Sequence, residues 1–133
     1  MSFAGFPHGV QFTPVPNPIF GPLLEEIDDL GELKCTLRII WMSHGKKGIP
    51  KYVSHSELIA DRVLARTLGD EDQDPVMVIE SNVMRAVNRG TIVAGKIGVA
   101  EDRVYVLNTQ SGRASLDDIS DVGFMLVGDE QTM

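Results

Sequence analysis

The sequence predicts a mostly helical α+β domain that ends in a β-hairpin. Two stretches, 28–44 and 74–89, carry apolar residues at helical spacing. Two runs rich in β-forming residues follow at 91–94 and 103–107, with glycines between them. The length of 133 residues fits one domain with a substantial core.

The first 27 residues are predicted to form an extended arm with a short helix. Five of the seven prolines lie in the first 22 residues, which excludes a regular helix over most of that stretch. Phenylalanines alternate with these prolines, more than a disordered tail usually carries. We therefore expect the arm to pack its aromatic side chains either on its own domain or on a partner chain.

The first long helix is predicted over 28–44. Asp28 or Asp29 can cap its start, and Gly45 fits the left-handed position that ends a helix. Its helically spaced apolar residues are Leu30, Leu33, Leu37, Ile40 and Trp41. Cys35 lies within this pattern with no partner motif for catalysis, which indicates a structural thiol.

A second helical region is predicted from Ser54 to Leu68, as one helix or two short ones. Ser54 and Glu57 have the spacing of a capping box, in which each side chain binds a free amide of the other residue. The polar run 69–73 that follows contains several acids but lacks the ordered spacing of a calcium loop, so we interpret it as a solvated loop.

The third helix is predicted to start at Asp74-Pro75 and to end at Gly90. Its buried stripe is expected to comprise Val76, Ile79, Val83, Ala86 and Val87. Its opposite, exposed face is expected to carry Ser81, Asn82, Arg85, Asn88 and Arg89. A hairpin with a polar turn at Glu101-Asp102 follows.

Residues 109–133 are predicted to form a short helix and an acidic, partly apolar tail. Ser115-Leu116-Asp117-Asp118 gives a weak capping box for that helix. The run 122–127 is apolar, and we expect the end beyond it to fray.

The order of three helical regions and a hairpin is that of a winged helix-turn-helix. Three short amphipathic helices cannot enclose a core alone, and the hairpin covers their open side. We therefore predict a winged-helix domain over 28–108. In DNA-binding members of this fold, the third helix enters the major groove.

The sequence resembles the N-terminal domain of DnaD-like primosome proteins and phage replisome organisers over roughly residues 12–109. The shared segments are Phe12-Thr13-Pro14-Val15-Pro16-Asn17-Pro18-Ile19-Phe20, Leu23-Leu24, Ile27-Asp28-Asp29, Glu32-Leu33-Lys34 with Leu37, Tyr52-Val53-Ser54, Glu57-Leu58-Ile59, Ala86-Val87, Arg89-Gly90-Thr91-Ile92 and Tyr105-Val106-Leu107-Asn108-Thr109. The resemblance implies DNA replication initiation, contact with other replication proteins such as helicase-loading assemblies, and homo-oligomer formation. The acidic loop 70–74 does not fit a DNA-binding role, because it lies beside the presumed recognition helix and would repel DNA.

One functional hypothesis is weak, non-specific binding of DNA. The candidate contacts on the third helix, in the hairpin and in the link before Ser54 are Asn82, Arg85, Asn88, Arg89, Lys96, Arg103, Lys46, Lys47 and Lys51. The charge distribution opposes this hypothesis. The net charge is −7, the middle of the chain is nearly neutral and both ends are acidic, whereas nucleic-acid binders usually carry a basic footprint.

The alternative is a protein-interaction or oligomerisation module that does not bind DNA directly. The residues expected to mediate self-association are Phe6, Phe12, Ile19, Phe20 and Phe124.

We expect no enzymatic activity, cofactor or metal site. The sequence has no phosphate-binding loop, no metal-spaced set of cysteine and histidine, and no glycine-framed serine. His8, His44 and His55 lie in separate segments and are expected to have surface or capping roles. The single cysteine, together with the absence of a secretory signal or an apolar run long enough to cross a membrane, predicts a cytoplasmic protein without membrane contact.

Overall fold

A computed structural model of the protein describes residues 3–47, 50–69, 72–97, 102–121 and 124–126. After a 3-10 turn at Asn17–Phe20, the helices and strands follow in chain order. They are α1 (Pro22–Glu26), α2 (Leu30–Gly45), β1 (Val53–Ser54), α3 (His55–Ile59), α4 (Arg62–Leu68), α5 (Pro75–Arg89), β2 (Ile92–Ile97), β3 (Asp102–Leu107), α6 (Gln110–Asp121) and β4 (Phe124–Leu126). The α+β class is confirmed, and this order is compatible with a winged helix.

The strands form one antiparallel sheet in the order β1-β3-β2-β4. The hairpin predicted from the two β-forming runs is confirmed, with Ala94 opposite Tyr105 and Ile92 opposite Leu107. Of the polar turn predicted at Glu101-Asp102, Glu101 lies outside the described residues, and Asp102 begins β3. The two-residue strand β1 pairs with β3, and β4 pairs with β2 on the opposite edge.

The sheet has a core on each face, because successive side chains of β3 point to opposite sides. On one face, Tyr105 is fully buried in a cluster with apolar residues of α2, α3, α4 and α5. On the other face, Val104 and Val106 pack against Leu116 and Ile119 of α6. The segment 109–126, predicted to lie beyond the winged-helix domain, thus supplies a covering helix and an edge strand to the same sheet.

Several helix ends are set by local residues, as the sequence predicts. Asp29 caps α2 by accepting the Glu32 amide at 3.1 Å. Ser54 and Glu57 form the reciprocal capping box of α3. The region to Leu68 divides into two helices, with Asp61 capping the second. Gly90 ends α5 in the left-handed conformation, at φ 95°.

Two predicted helix boundaries are wrong. Gly45 is the last residue of α2 rather than a left-handed terminator, and the chain leaves through an extended Lys46. The last helix starts at Gln110 rather than near Ser115, because the Thr109 hydroxyl accepts the Gly112 amide at 3.0 Å and caps an earlier turn. At this junction a Cβ on Gly112 would lie 1.9 Å from the carbonyl oxygen of Leu107, so only glycine fits there.

The buried face of α2 also differs from the predicted one. The helix buries Glu32, Cys35, Thr36, Ile39 and Ile40, whereas Leu30, Leu37 and Trp41 of the predicted stripe are exposed. The helix carries apolar residues on both sides, so helical spacing alone does not decide which side faces the core.

Candidate functional site

The predicted recognition helix, α5, is held against α2 and α4 by an apolar stripe. Ile79, Val83 and Ala86 are fully buried, as predicted, and Val76 and Val87 are half-buried. This packing turns the arginine-bearing side of α5 toward the N-terminal half of α2, where Asp29 and Glu32 lie.

Arg89 binds a carboxylate that is almost completely buried. Its Nε donates to Glu32 Oε2 at 2.6 Å and its Nη2 donates to Oε1 at 3.1 Å. Glu32 is only 1% exposed. The Glu32 carboxylate raises the pKa of Arg89 above its ordinary value. This two-point ion pair fixes α5 to α2 and occupies the guanidinium group.

Arg85 and Asn82 are also engaged with the start of α2. Arg85 Nη1 donates to Asp29 Oδ2 at 2.6 Å. Asn82 is 7% exposed, donates to the Val78 carbonyl oxygen at 3.0 Å, and lies so close to Gly31 that a Cβ there would be 2.6 Å from Asn82 Nδ2. The placement of Asn82 on the exposed face is therefore wrong, since that residue packs against α2.

The side of α5 that does face solvent carries little positive charge. It exposes Met77, Ser81 and Asn88, together with the parts of Arg85 and Arg89 that their ion pairs leave uncovered. Exposed Asp72 and Asp74 flank its N-terminal end. Asp70 and Glu71 of the predicted acidic loop lie outside the described residues. A phosphate backbone approaching this side would meet carboxylates before it met a free cation.

The remaining candidate DNA contacts are spread over the hairpin and the link. Arg103 donates to the Met84 sulfur at 3.2 Å, and Lys96 is half-buried on β2. Lys46 forms an ion pair with Glu57. Burial alone would raise the pKa of Glu57, but the hydrogen bonds from Lys46 and from the Ser54 amide outweigh it and lower that pKa. Lys47 and Lys51 are exposed, whereas Lys46 and Arg103 are each bound to a neighbouring side chain.

The residues predicted to mediate self-association differ in their surroundings. Phe6 and Phe12 are 82% and 86% exposed, and Phe20 is exposed as well. Ile19 is instead a buried core residue, so its assignment to an interaction surface is wrong. Phe124 lies in β4, where its backbone pairs with that of Ile97. Val122, Gly123 and Val127 of the predicted apolar tail lie outside the described residues.

The base and the tip of the arm differ in their surroundings. Pro14, Val15 and Pro16 line a cavity of about 740 Å³ against Ile40 and the N-terminal part of α6. Residues 3–12 are exposed throughout, and Phe3 and Phe6 pack edge to face on each other at 5.0 Å. The arm therefore packs on its own domain at its base and leaves its aromatic tip in solvent.

Sequence reasoning missed a polar network beneath the sheet. His55 Nδ1 lies 2.8 Å from the hydroxyl of Tyr105, and its Nε2 lies 2.8 Å from Glu80 Oε2. Burial raises the pKa of Tyr105. The three residues come from α3, α5 and β3, so no local spacing in the sequence could have revealed the contact. The network ties the helices to the hairpin and satisfies a buried phenol.

A groove between α2 and α4 was missed as well. It has a volume of about 390 Å³ and is lined by Lys34, Leu37, Arg38, Trp41, Val63, Leu64 and Thr67. Leu37 and Trp41 belong to the apolar pattern predicted for the first long helix, and such a pattern does not distinguish a stripe that is covered from one that is left open.

The described residues contain no group of three or more histidine, cysteine or carboxylate side chains that could hold a metal ion. Among the helices that the structure describes, none has the length and apolar character needed to cross a membrane. Comparison with protein-family models, with curated proteins and with solved structures gives no match.

Proposed function

We propose that this chain is a winged-helix interaction module of the replication-initiation type. In this proposal it self-associates through its N-terminal arm and acts by protein contacts rather than by reading DNA with α5. The element order supports the winged helix, with α2, α3–α4 and α5 as its three helical regions and β2–β3 as its wing. The role in replication rests on the resemblance to DnaD-like proteins over residues 12–109.

The observation that carries the proposal is the engagement of both α5 arginines. Arg89 is bound at two points by buried Glu32, and Arg85 is bound by Asp29. The carboxylates neutralise both guanidinium charges and so weaken their attraction for a phosphate, and drawing Arg89 away from Glu32 would leave a buried charge uncompensated. This cost and the acidic flank of α5 argue against DNA recognition by that helix.

The exposed tip of the arm supports self-association. No residue between Phe3 and Leu24 carries an aspartate, glutamate, lysine or arginine side chain. The three phenylalanines at positions 3, 6 and 12 are all more than two-thirds exposed. Each phenylalanine can bury on the order of 150–250 Å² in an interface, so two exchanged arms approach the roughly 1,000 Å² of a specific contact.

Sedimentation velocity tests the arm. We expect the wild type to form a dimer or a larger species, and Phe6→Ser with Phe12→Ser to shift it toward the 14.6 kDa monomer. Met77→Ser is the control, because Met77 is also a largely exposed apolar residue, at 66%, but lies on α5. A wild type that remains monomeric at high concentration, or a control that dissociates as readily as the arm variant, would contradict this role for the arm.

Direct DNA binding is the second candidate, and exposed Lys47 and Lys51 favour it. These side chains form no ion pair within the described part of the chain and lie on the link before β1. Binding through so few cations is expected to be weak, insensitive to sequence and steeply salt-dependent. Fluorescence anisotropy with duplex and single-stranded DNA should then show weaker DNA binding by the double variant Lys47→Ala with Lys51→Ala. The DNA affinity of Arg85→Ala should change little. A larger loss of DNA affinity for Arg85→Ala than for the lysine variant would instead identify α5 as the DNA-binding element.

A further inference from the structure

We propose that the α2–α4 groove is a docking site for an acidic amphipathic helix of a partner protein. The proposal deepens the role as an interaction module, but it does not depend on self-association through the arm. It rests on the shape, the lining and the local charge of the groove.

The lining of the groove is apolar and accessible. Leu37, Trp41 and Val63 are 39%, 52% and 49% exposed, and the floor between them is the buried side chain of Leu64. Leu30 lies two turns before Leu37 on the same side of α2 and is also exposed. Contiguous exposed apolar residues of this kind mark protein-binding surfaces.

The two walls of the groove are joined by polar contacts in the absence of any partner. Arg38 donates to both carboxylate oxygens of Asp61, at 2.9 and 3.0 Å, and so links α2 to the cap of α4. Lys34 donates to Thr67 farther along the same walls. The Arg38 guanidinium also lies 4.2 Å from the ring centroid of Trp41 and restrains that side chain. A preformed site loses little conformational entropy on binding, which favours affinity.

The charge around the groove is opposite to that of the whole chain. The chain has a net charge of −7, yet α4 presents exposed Arg62 and Arg66, and Lys34 lies on the α2 wall. Among the lining residues and their polar partners the one carboxylate is Asp61, and Arg38 neutralises it. An apolar groove with a basic rim complements a segment that is apolar on one side and acidic on the other.

The geometry favours a helix as the occupant. Leu30, Leu37 and Trp41 recur along α2 at intervals of seven and four residues, so they form a straight stripe about 16 Å long. A third helix can lay apolar residues at positions i, i+4 and i+7 into such a stripe beside α4. Single-stranded DNA fits less well, because the lining is largely aliphatic and Arg38 covers one face of the single aromatic ring.

Trp41 is the only tryptophan of the chain and reports directly on the groove. The probes are synthetic peptides of about 18 residues with leucines at helical spacing and glutamates elsewhere. One control peptide replaces the glutamates by lysines, and another replaces the leucines by alanines. An oligothymidylate of about 20 nucleotides tests the nucleic-acid alternative. We expect the acidic leucine peptide alone to shift the Trp41 emission to shorter wavelength.

Two double variants test the electrostatic part with equal changes in net charge. Arg62→Glu with Arg66→Glu should weaken binding of the acidic peptide about tenfold or more, whereas Lys47→Glu with Lys51→Glu should change it by less than about twofold. Val63→Asp should abolish the emission shift while the circular dichroism spectrum stays native, because Val63 is half exposed. These three results together would support the proposal.

Other results would overturn it. Binding of the lysine peptide as tight as that of the acidic peptide, equal weakening by the two double variants, or a response to oligothymidylate alone would each exclude the acidic-helix site. No emission shift with the acidic peptide would exclude it too. Dissociation of the homo-oligomer by Val63→Asp would instead assign the groove to a second copy of this chain. The sedimentation behaviour of the arm variants is measured without peptide, so failure of the proposed self-association is recognised separately.

Discussion

The two sides of α2 use charge and apolar surface in opposite ways. On the inner side, buried Glu32 forms an ion pair with Arg89, so both charges are neutralised within the molecule. The outer side leaves Leu37 and Trp41 in solvent beside the cations of α4. Whether a cation or an apolar side chain is available to a partner therefore depends on the neighbouring element and not on the helix that carries it.

Arg89→Ala tests the inner side and should have the largest effect among the changes to charged residues. The substitution leaves the Glu32 carboxylate buried without a partner, a situation that typically costs about 3 kcal/mol. We expect the urea midpoint to fall by roughly 1 M or more. Replacing both residues, with Glu32→Leu and Arg89→Leu, should restore much of the stability. If the single variant unfolds at the wild-type midpoint, the pair does not secure α5.

The pH dependence of the free energy of unfolding tests how well the inner side of α2 shields the Cys35 thiol from solvent. Burial, with a smaller contribution from the Asp29 carboxylate, raises the pKa of the Cys35 thiol to about 12. Above about pH 8.5 the unfolded thiol ionises while the folded thiol keeps its proton, so the unfolded state binds fewer protons and the free energy of unfolding falls as pH rises. The slope from this group reaches at most about 1.4 kcal/mol per pH unit and ends near pH 12.

Urea unfolding between about pH 9 and 10.5 measures that slope in the wild type and in Cys35→Ala. The variant removes the thiol and should flatten the dependence, whatever its own stability at neutral pH. Parallel slopes in the two proteins would show that Cys35 ionises equally easily in both states and is not shielded in the fold.

Arg85→Ala tests the boundary between the two sides and should have a small effect. The side chains of Arg85 and Asp29 are 53% and 35% exposed, so solvent screens their attraction. We expect a loss of about 0.2–1 kcal/mol in thermal unfolding, which added salt should reduce further. A loss as large as that of Arg89→Ala would show that the exposed pair is as important as the buried one.

Leu37→Gln tests the outer side and should have the smallest effect. Because Leu37 already faces solvent, the unfolding free energy should stay within about 0.5 kcal/mol of the wild type. Ile39→Ala, two residues further along the same helix, removes a fully buried side chain and should cost about 2–5 kcal/mol. Equal losses for the two variants would mean that the outer side of α2 is covered in solution.

The sequence predicts elements whose ends depend on local contacts. Pro75 and Gly90 bound α5, and Ser54 with Glu57 starts α3, because a cap involves residues only two to four positions apart. The face that a helix buries depends on distant partners. Nothing near Glu32 in the sequence reveals that Arg89 will bind it 57 residues later. For this reason the order of the long helices and the hairpin was predicted correctly, whereas strands β1 and β4 and the exposure of Trp41 and Asn82 were not.

Gly112 gives the turn between β3 and α6 an importance that its partial exposure does not suggest. Any side chain there would collide with the Leu107 carbonyl oxygen and push α6 away from the sheet. Because β4 begins three residues after α6 ends, displacement of α6 would draw β4 away from β2, with which it pairs at Gly95, Lys96 and Ile97. An unpaired strand edge is a template for aggregation. Glycine at position 112 therefore keeps β4 paired along an edge of β2 that would otherwise be open to another chain.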